Sequence, residues 1–218
     1  MGSKALIEIC EIFYSIQGES SYAGYPCFFI RLAGCNLRCS YCDTRYAYDR
    51  KHEPYAVSRI LAELKNYPGV LVEVTGGEPL LQRGVYSLFE ELLGAGRTVL
   101  LETNGSISLA EVPADVVKIL DMKCPGSGMQ EKMDFTNLAY LGSRDEIKFV
   151  MGSRDDYDWA LNVLAEYRLQ DLATVTFSPV AAMLPPSRLA SWMLEDRLPV
   201  RLRLQLHTIL WPALTRGY

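Results

Sequence analysis

Residues 27–44 read CFFIRLAGCNLRCSYCDT. The first eight are rich in β-branched and aromatic types and read as a strand. A loop follows at once, and in it Cys35, Cys39 and Cys42 fall within eight positions. In α/β proteins, ligands sit outside the carboxyl ends of parallel strands. The arrangement recurs downstream. Apolar stretches run into polar, glycine-rich turns at TGGEP (75–79), ETNGS (102–106), DMKCPG (121–126) and MGSRDD (151–156).

The intervening segments have helical spacing: VSRILAELKNY (57–67), LLQRGVYSLFEELLGAG (80–96), RDDYDWALNVLAEYRLQD (154–171) and PSRLASWMLEDR (186–197). Strands alternating with helices make βαβ units and a mostly parallel sheet. Right-handed crossovers wind such units into an open or partial (β/α) barrel with its helices outside. The 218 residues fit one such domain, 1–218. The chain closes on RLRLQLH (201–207), which alternates strictly. As a strand it places Arg201, Arg203, Gln205 and His207 on one face. The other histidine, His52, falls in the charged stretch DRKHEPY and reads as solvated.

Hydrophobic residues make up 49% and the net charge is −4, so no global positive field draws the chain to nucleic acid or an anionic membrane. No apolar run approaches the ~20 residues of a membrane span. The start, MGSKALIEICEIF, lacks the layout of a signal peptide, and Leu6 stands where a myristoylation signal wants serine or threonine. These features read as a cytoplasmic protein, in which six cysteines are not a disulfide framework. Cys10 and Cys27 lie in apolar strands and read as core residues.

Three clustered thiols leave few options. A structural zinc site wants four closed ligands, and neither Cys27, Cys124 nor His52 lies at a paired spacing. A redox pair of Cys39 and Cys42 leaves Cys35 unexplained. A 4Fe–4S cluster on three thiolates keeps one iron open for a further ligand.

CxxxCxxC followed by TGGEP resembles the radical S-adenosylmethionine (SAM) enzymes. EIFYSIQGES (11–20), FFIRLAGCNLRCSYCDTRYAY (28–48), VTGGEPLLQ (74–82), LETNGS (101–106) and LDMKCPGSG (120–128) together resemble the 7-carboxy-7-deazaguanine synthase family. The resemblance runs from about residue 8 to about residue 128 and returns at RLQLHTILWP. It implies a carbon–nitrogen lyase of the queuosine and 7-deazapurine pathway. A 5′-deoxyadenosyl radical would take hydrogen from 6-carboxy-5,6,7,8-tetrahydropterin, the ring would contract, and ammonia would leave. Implied partners are SAM, a 4Fe–4S cluster, Mg2+, a flavodoxin- or ferredoxin-type electron donor and a second copy of the chain.

The same resemblance implies the site. Cys35, Cys39 and Cys42 would ligate the cluster and Thr44 the magnesium. Tyr41, Asp43, Gly76, Gly77, Glu78, Glu102, Thr103, Asn104, Asp121, Met122 and Lys123 would lie by SAM. Many members have Ser-Pro-Lys where this chain has Asp121, Met122 and Lys123. Ile16, Gln17, Gly18, Glu19, Arg31, Thr75 and His207 would contact substrate. Arg31 in an apolar strand wants an anionic partner, either the substrate carboxylate or a structural ion pair. Two other readings share the cysteines: an activase that makes a glycyl radical on a partner protein, and a non-enzymatic iron–sulfur carrier.

Overall fold

The computed structural model describes residues 5–49, 54–212 and 216–217. The first four residues of the MGSK start and His52 lie outside them. The strands are β1 (Leu6–Ile16), β2 (Pro26–Leu32), β3 (Pro54–Ala56), β4 (Leu71–Gly76), β5 (Val99–Thr103), β6 (Val117–Lys123), β7 (Glu146–Met151), β8 (Thr174–Pro179) and β9 (Arg201–Leu202). They form one sheet in the order β3-β1-β2-β4-β5-β6-β7-β8-β9. β1 pairs antiparallel with both β2 and β3. From β2 to β9 every neighbouring pair is parallel. The result is an open, partial (β/α) barrel.

The helices are α1 (Val57–Leu64), α2 (Gly84–Gly94), α3 (Arg154–Glu166), α4 (Pro186–Glu195) and α5 (Leu206–Leu210). Two crossovers carry no α-helix. The β5–β6 link is a turn-rich segment, and the β6–β7 link is built from 3-10 turns at Pro125–Ser127, Gln130–Lys132 and Phe135–Tyr140. A buried amide stitches these links together. Asn137 accepts from Leu109 N (2.8 Å) and donates to the carbonyls of Gly105 (3.1 Å) and Ile107 (3.0 Å). Backbone groups that a helix would have paired find partners this way.

Alternation along the strands separates two faces. Ile30, Leu32, Val72, Val74, Leu101, Leu120, Met122, Ile147 and Phe149 point toward the helices and form the main core. Cys27, Phe29, Leu71, Leu100, Val117 and Ile119 point to the inner face and close its floor with a smaller apolar cluster. Further along the same strands, toward their carboxyl ends, the inner positions turn polar: Arg31, Thr75, Glu102, Asp121, Lys123 and Lys148 all border one cavity.

The C-terminal expectation fails in part. β9 stops after Leu202. The chain then turns and α5 begins at Leu206, so residues 201–207 do not share one strand face. The cause is a competing partner. Arg203 N still pairs with Phe177 O on β8 (2.8 Å), but Leu206 N turns to Gly18 O beyond β1 (3.2 Å). The segment thereby closes over residues 18 and 19 instead of extending the sheet.

Candidate active site

The inner face and the loops after β1, β2, β4, β5 and β6 enclose a cavity of about 320 Å³. All three clustered cysteines border it, and all are free and half-buried. Their loop is held from several sides. Ser40 N donates to Ser127 O (3.0 Å) and Ser40 Oγ to Gly126 O (2.6 Å). Tyr41 OH reaches Val150 O on β7 (2.9 Å), and Arg45 donates to Ser40 O (2.7 Å). Asn104 Nδ2 spans from β5 to Asn36 Oδ1 (3.2 Å) and lies 3.9 Å from Cys35 Sγ. Burial raises the Cys35 and Cys39 thiols, and the Lys123 ammonium acts against it at both. Among the described residues, no three His, Cys, Asp or Glu side chains come close enough to hold a single metal ion. The three thiols border a space rather than converge on a point.

Gly76 and Gly77 lie where the β4 end meets this loop. A Cβ on Gly77 would stand 2.4 Å from Gly34 O and 2.6 Å from Cys35 Cβ. Gly76 has φ +151°, and a Cβ there would stand 2.2 Å from Leu32 O. The missing side chain of Gly77 makes room for the cysteine loop, and that of Gly76 for the end of β2. Glu78 does not border the cavity. It is fully buried and its carboxylate accepts from Leu80 N (3.0 Å), Asn104 N (2.8 Å) and Thr103 Oγ1 (2.9 Å). It splices the β4 loop to the β5 loop. Burial pushes its carboxyl up to about 7, with those hydrogen bonds pulling the other way. Met122 also turns away, because the pleat that sends Asp121 and Lys123 inward sends it into the main core. The remaining residues expected at the site all border the cavity.

A buried charge that the sequence reading missed is Lys148 on β7. Its side chain is 4% exposed and its ammonium meets the carboxylates of Glu19 (2.8 Å), Glu102 and Asp121 (3.7 Å). Asp121 also pairs with Lys123 (2.6 Å). Burial works to raise Glu102, but the Lys148 ammonium and Thr75 Oγ1 outweigh it and hold the carboxyl down at about 2. Arg31 is partnered: its Nε donates to Glu11 (2.7 Å), which also accepts from Tyr46 OH (2.8 Å). At the mouth, Gln205 Nε2 lies 3.1 Å and His207 Nδ1 3.6 Å from Glu19 Oε1.

Glu73, also on β4, is buried, and it accepts from Gln17 Nε2 (2.8 Å). Burial, then Glu102 and Glu19, push its carboxyl up to about 8. In the fold it keeps a proton that the unfolded chain releases near pH 4.3. Its contribution to stability is therefore full below about pH 4.3 and lost as pH rises through about 8. Denaturant unfolding of the metal-free protein between pH 5 and 8.5 is expected to show this decline, and Glu73→Gln to flatten it. An equal slope in both proteins would contradict the assignment.

A family model described as the radical SAM superfamily matches residues 29–181. The 7-carboxy-7-deazaguanine synthase of Koribacter versatilis is 44% identical, over 97% of this chain and 100% of its own length. That of Chlorobaculum tepidum is also 44% identical, over the whole of both chains. The chain belongs to the 7-carboxy-7-deazaguanine synthase family of radical SAM enzymes. In fold, this family member is similar to the crystal structure of QueE from Escherichia coli, with a TM-score of 0.74 at 23% identity, covering 92% of this chain and 94% of that one. The family works with a 4Fe–4S cluster and SAM. The donor set fits them: three free soft thiols on one loop suit iron, and a buried ammonium at Lys123 beside carboxylates suits a zwitterion. Among the described residues no helix is long and apolar enough to cross a membrane.

Proposed function

We propose that this chain, acting as one domain, converts 6-carboxy-5,6,7,8-tetrahydropterin to 7-carboxy-7-deazaguanine with loss of ammonia. The observation that carries the reading is a single cavity bordered by three thiols on one side and a buried polar lining on the other. Cys35, Cys39 and Cys42 would hold the cluster. Tyr41, Asp43, Gly76, Gly77, Thr103, Asn104, Asp121 and Lys123 are the SAM-side residues, and Thr44 the magnesium ligand. The cluster and SAM, when bound, supply hydrogen-atom abstraction at the pterin carbon.

The chain's own part is binding, orientation and charge. Arg31, its Nε engaged by Glu11, offers its remaining guanidinium nitrogens to the substrate carboxylate. Glu19 is aimed at the bowl by Lys148, Gln205 and His207. Glu102 stays ionised beside Lys148 and Thr75, ready to accept a hydrogen bond from a ring N–H. The closure of residues 205–207 over Gly18 and Glu19 limits water at the substrate. The enzyme works in the cytoplasm as a homodimer, reduced by a flavodoxin- or ferredoxin-type protein.

An anaerobic assay tests the reading. Protein reconstituted with iron and sulfide is given dithionite, SAM, magnesium and the carboxytetrahydropterin. The expected product is 7-carboxy-7-deazaguanine by mass spectrometry, absent in Cys39→Ala. Formation of 5′-deoxyadenosine without it would leave the radical chemistry and reject the substrate.

A further inference from the structure

We infer that Ser106 and Asn36 are positioning residues that aim an amide N–H of Asn104 at the sulfur of Cys35, and that this donor raises the reduction potential of the cluster held there. The inference rests on the reading of Cys35, Cys39 and Cys42 as the cluster ligands.

Three side chains from two loops close a ring of hydrogen bonds. Asn36 Nδ2 donates to Ser106 Oγ (2.8 Å). Ser106 Oγ donates in turn to Asn104 Oδ1 (2.6 Å). Asn104 Nδ2 returns to Asn36 Oδ1 (3.2 Å). The one hydroxyl thus accepts from the first amide and spends its single hydrogen on the second. Ser106 N brings a further donor to Asn104 Oδ1 (3.0 Å). With two donors on its oxygen, the Asn104 amide turns its nitrogen to the cysteine loop. The backbone beneath it is fixed as well, because Asn104 N donates to the buried Glu78 carboxylate (2.8 Å). An amide nitrogen carries two hydrogens. Asn36 takes one, and the other is left for Cys35 Sγ at 3.9 Å. Leu37 N lies 3.4 Å from the same sulfur, so two N–H groups converge on Cys35.

The electrostatics give the sign. Reduction by one electron adds a negative charge that the ligating thiolates share. A donor aimed at one of those sulfurs stabilises the reduced form more than the oxidised form, and so raises the potential. Asn104 is 6% exposed, so little water screens its amide dipole. Asn104 borders the cavity, whereas Asn36 and Ser106 do not. Asn36 is exposed and Ser106 half-buried. These two therefore act on the iron site through the direction of the Asn104 amide, without touching what the cavity holds.

The test is an anaerobic redox titration of the reconstituted enzyme without SAM, with dithionite as the electron source and the electron paramagnetic resonance of the reduced cluster as the readout. The comparison is made at the potential where half of the wild-type cluster is reduced. There, Asn104→Ala is expected to lower the ratio of reduced to oxidised cluster by about tenfold, the loss of one hydrogen bond to a charged group. Ser106→Ala and Asn36→Ala keep the donor but release it, and are expected to lower the ratio by about threefold. Asn36→Ala changes an exposed position and so covers the case of a misfolded Asn104 variant. Ser106→Thr keeps the hydroxyl and should restore the wild-type ratio. All four variants should bind as much iron as the wild type. Ratios unchanged at full iron, or Ser106→Thr falling as far as Ser106→Ala, would overturn the inference and leave the cluster reading standing. Loss of iron in every variant would overturn it too, since the ring would then only tie the loops together. A wild-type chain that gives no reduced-cluster signal would remove both.

Discussion

Lys148→Met is expected to lower the unfolding free energy by about 3–5 kcal/mol, the cost of removing one partner from a buried ionic cluster. For a chain of this length that is a fall in Tm of roughly 6–20 °C. The ammonium sits among Glu19, Glu102 and Asp121, with its side chain 4% exposed. Methionine fills a similar volume, so the loss is electrostatic rather than a cavity effect. The pH dependence gives the signature. In the wild type the Glu102 carboxyl is held at about 2, below its unfolded value near 4.3. Its stabilisation is present above about pH 4.3 and is lost as pH falls toward 2. Without Lys148, burial governs Glu102 and the sign reverses: the variant is best at acid pH and weakens as pH rises. Guanidinium unfolding at pH 5 and 7.5 reads this directly. The deficit should be larger at pH 7.5. A deficit below about 1 kcal/mol, or one equal at both pH values, would show that the cluster is solvated rather than buried.

Much of the fold was legible because strand and helix signals agreed along the chain. The run CFFIRLAG is β2 nearly residue for residue, and the turns TGGEP and ETNGS do end β4 and β5. Local pattern failed where the deciding partner was remote. Nothing within RLRLQLH announces that Leu206 N will bond to Gly18 O, yet that contact ends β9. The non-helical links around β6 depend on Asn137, whose three backbone partners lie about thirty residues away. The site divides the same way. Motif residues such as Cys35, Thr75 and Lys123 reach the cavity because a loop or a pleat carries them there. Met122 breaks rank by the same pleat, a signal already present in the alternation of Asp121, Met122 and Lys123. Lys148 and Glu73 were missed although EIKFV sets two charges and LVEVT one in an apolar strand, the same signal that singled out Arg31. A charge at an inner strand position must be paired, so each predicted a polar cavity lining above the apolar floor.

Gly77→Ala is expected to abolish function through the cysteine loop while sparing the fold. The added methyl would stand 2.4 Å from Gly34 O and 2.6 Å from Cys35 Cβ. The backbone around it cannot swing clear. Gly77 N donates to Leu32 O (3.2 Å) and Glu78 N to Gly34 O (2.8 Å), while Glu78 is itself clamped to the β5 loop. The loop bearing Cys35 must give instead. Overpacking of this kind costs about 1–3 kcal/mol, which a stable domain survives. A thiol displaced by about 1 Å is a different matter, since misplacement on that scale costs about 100-fold in rate. Reconstituted Gly77→Ala is therefore expected to bind less than half the iron of the wild type and to cleave SAM at least about 100-fold more slowly. Its circular dichroism should be unchanged. Gly94→Ala supplies the control, because a Cβ at the end of α2 meets nothing within 4 Å. That variant should keep full iron and activity, with stability raised by up to about 1 kcal/mol from the better helix former. Full iron and wild-type SAM cleavage in Gly77→Ala would mean that the loop can move as a body, and that the close approach of β4 does not set the position of Cys35.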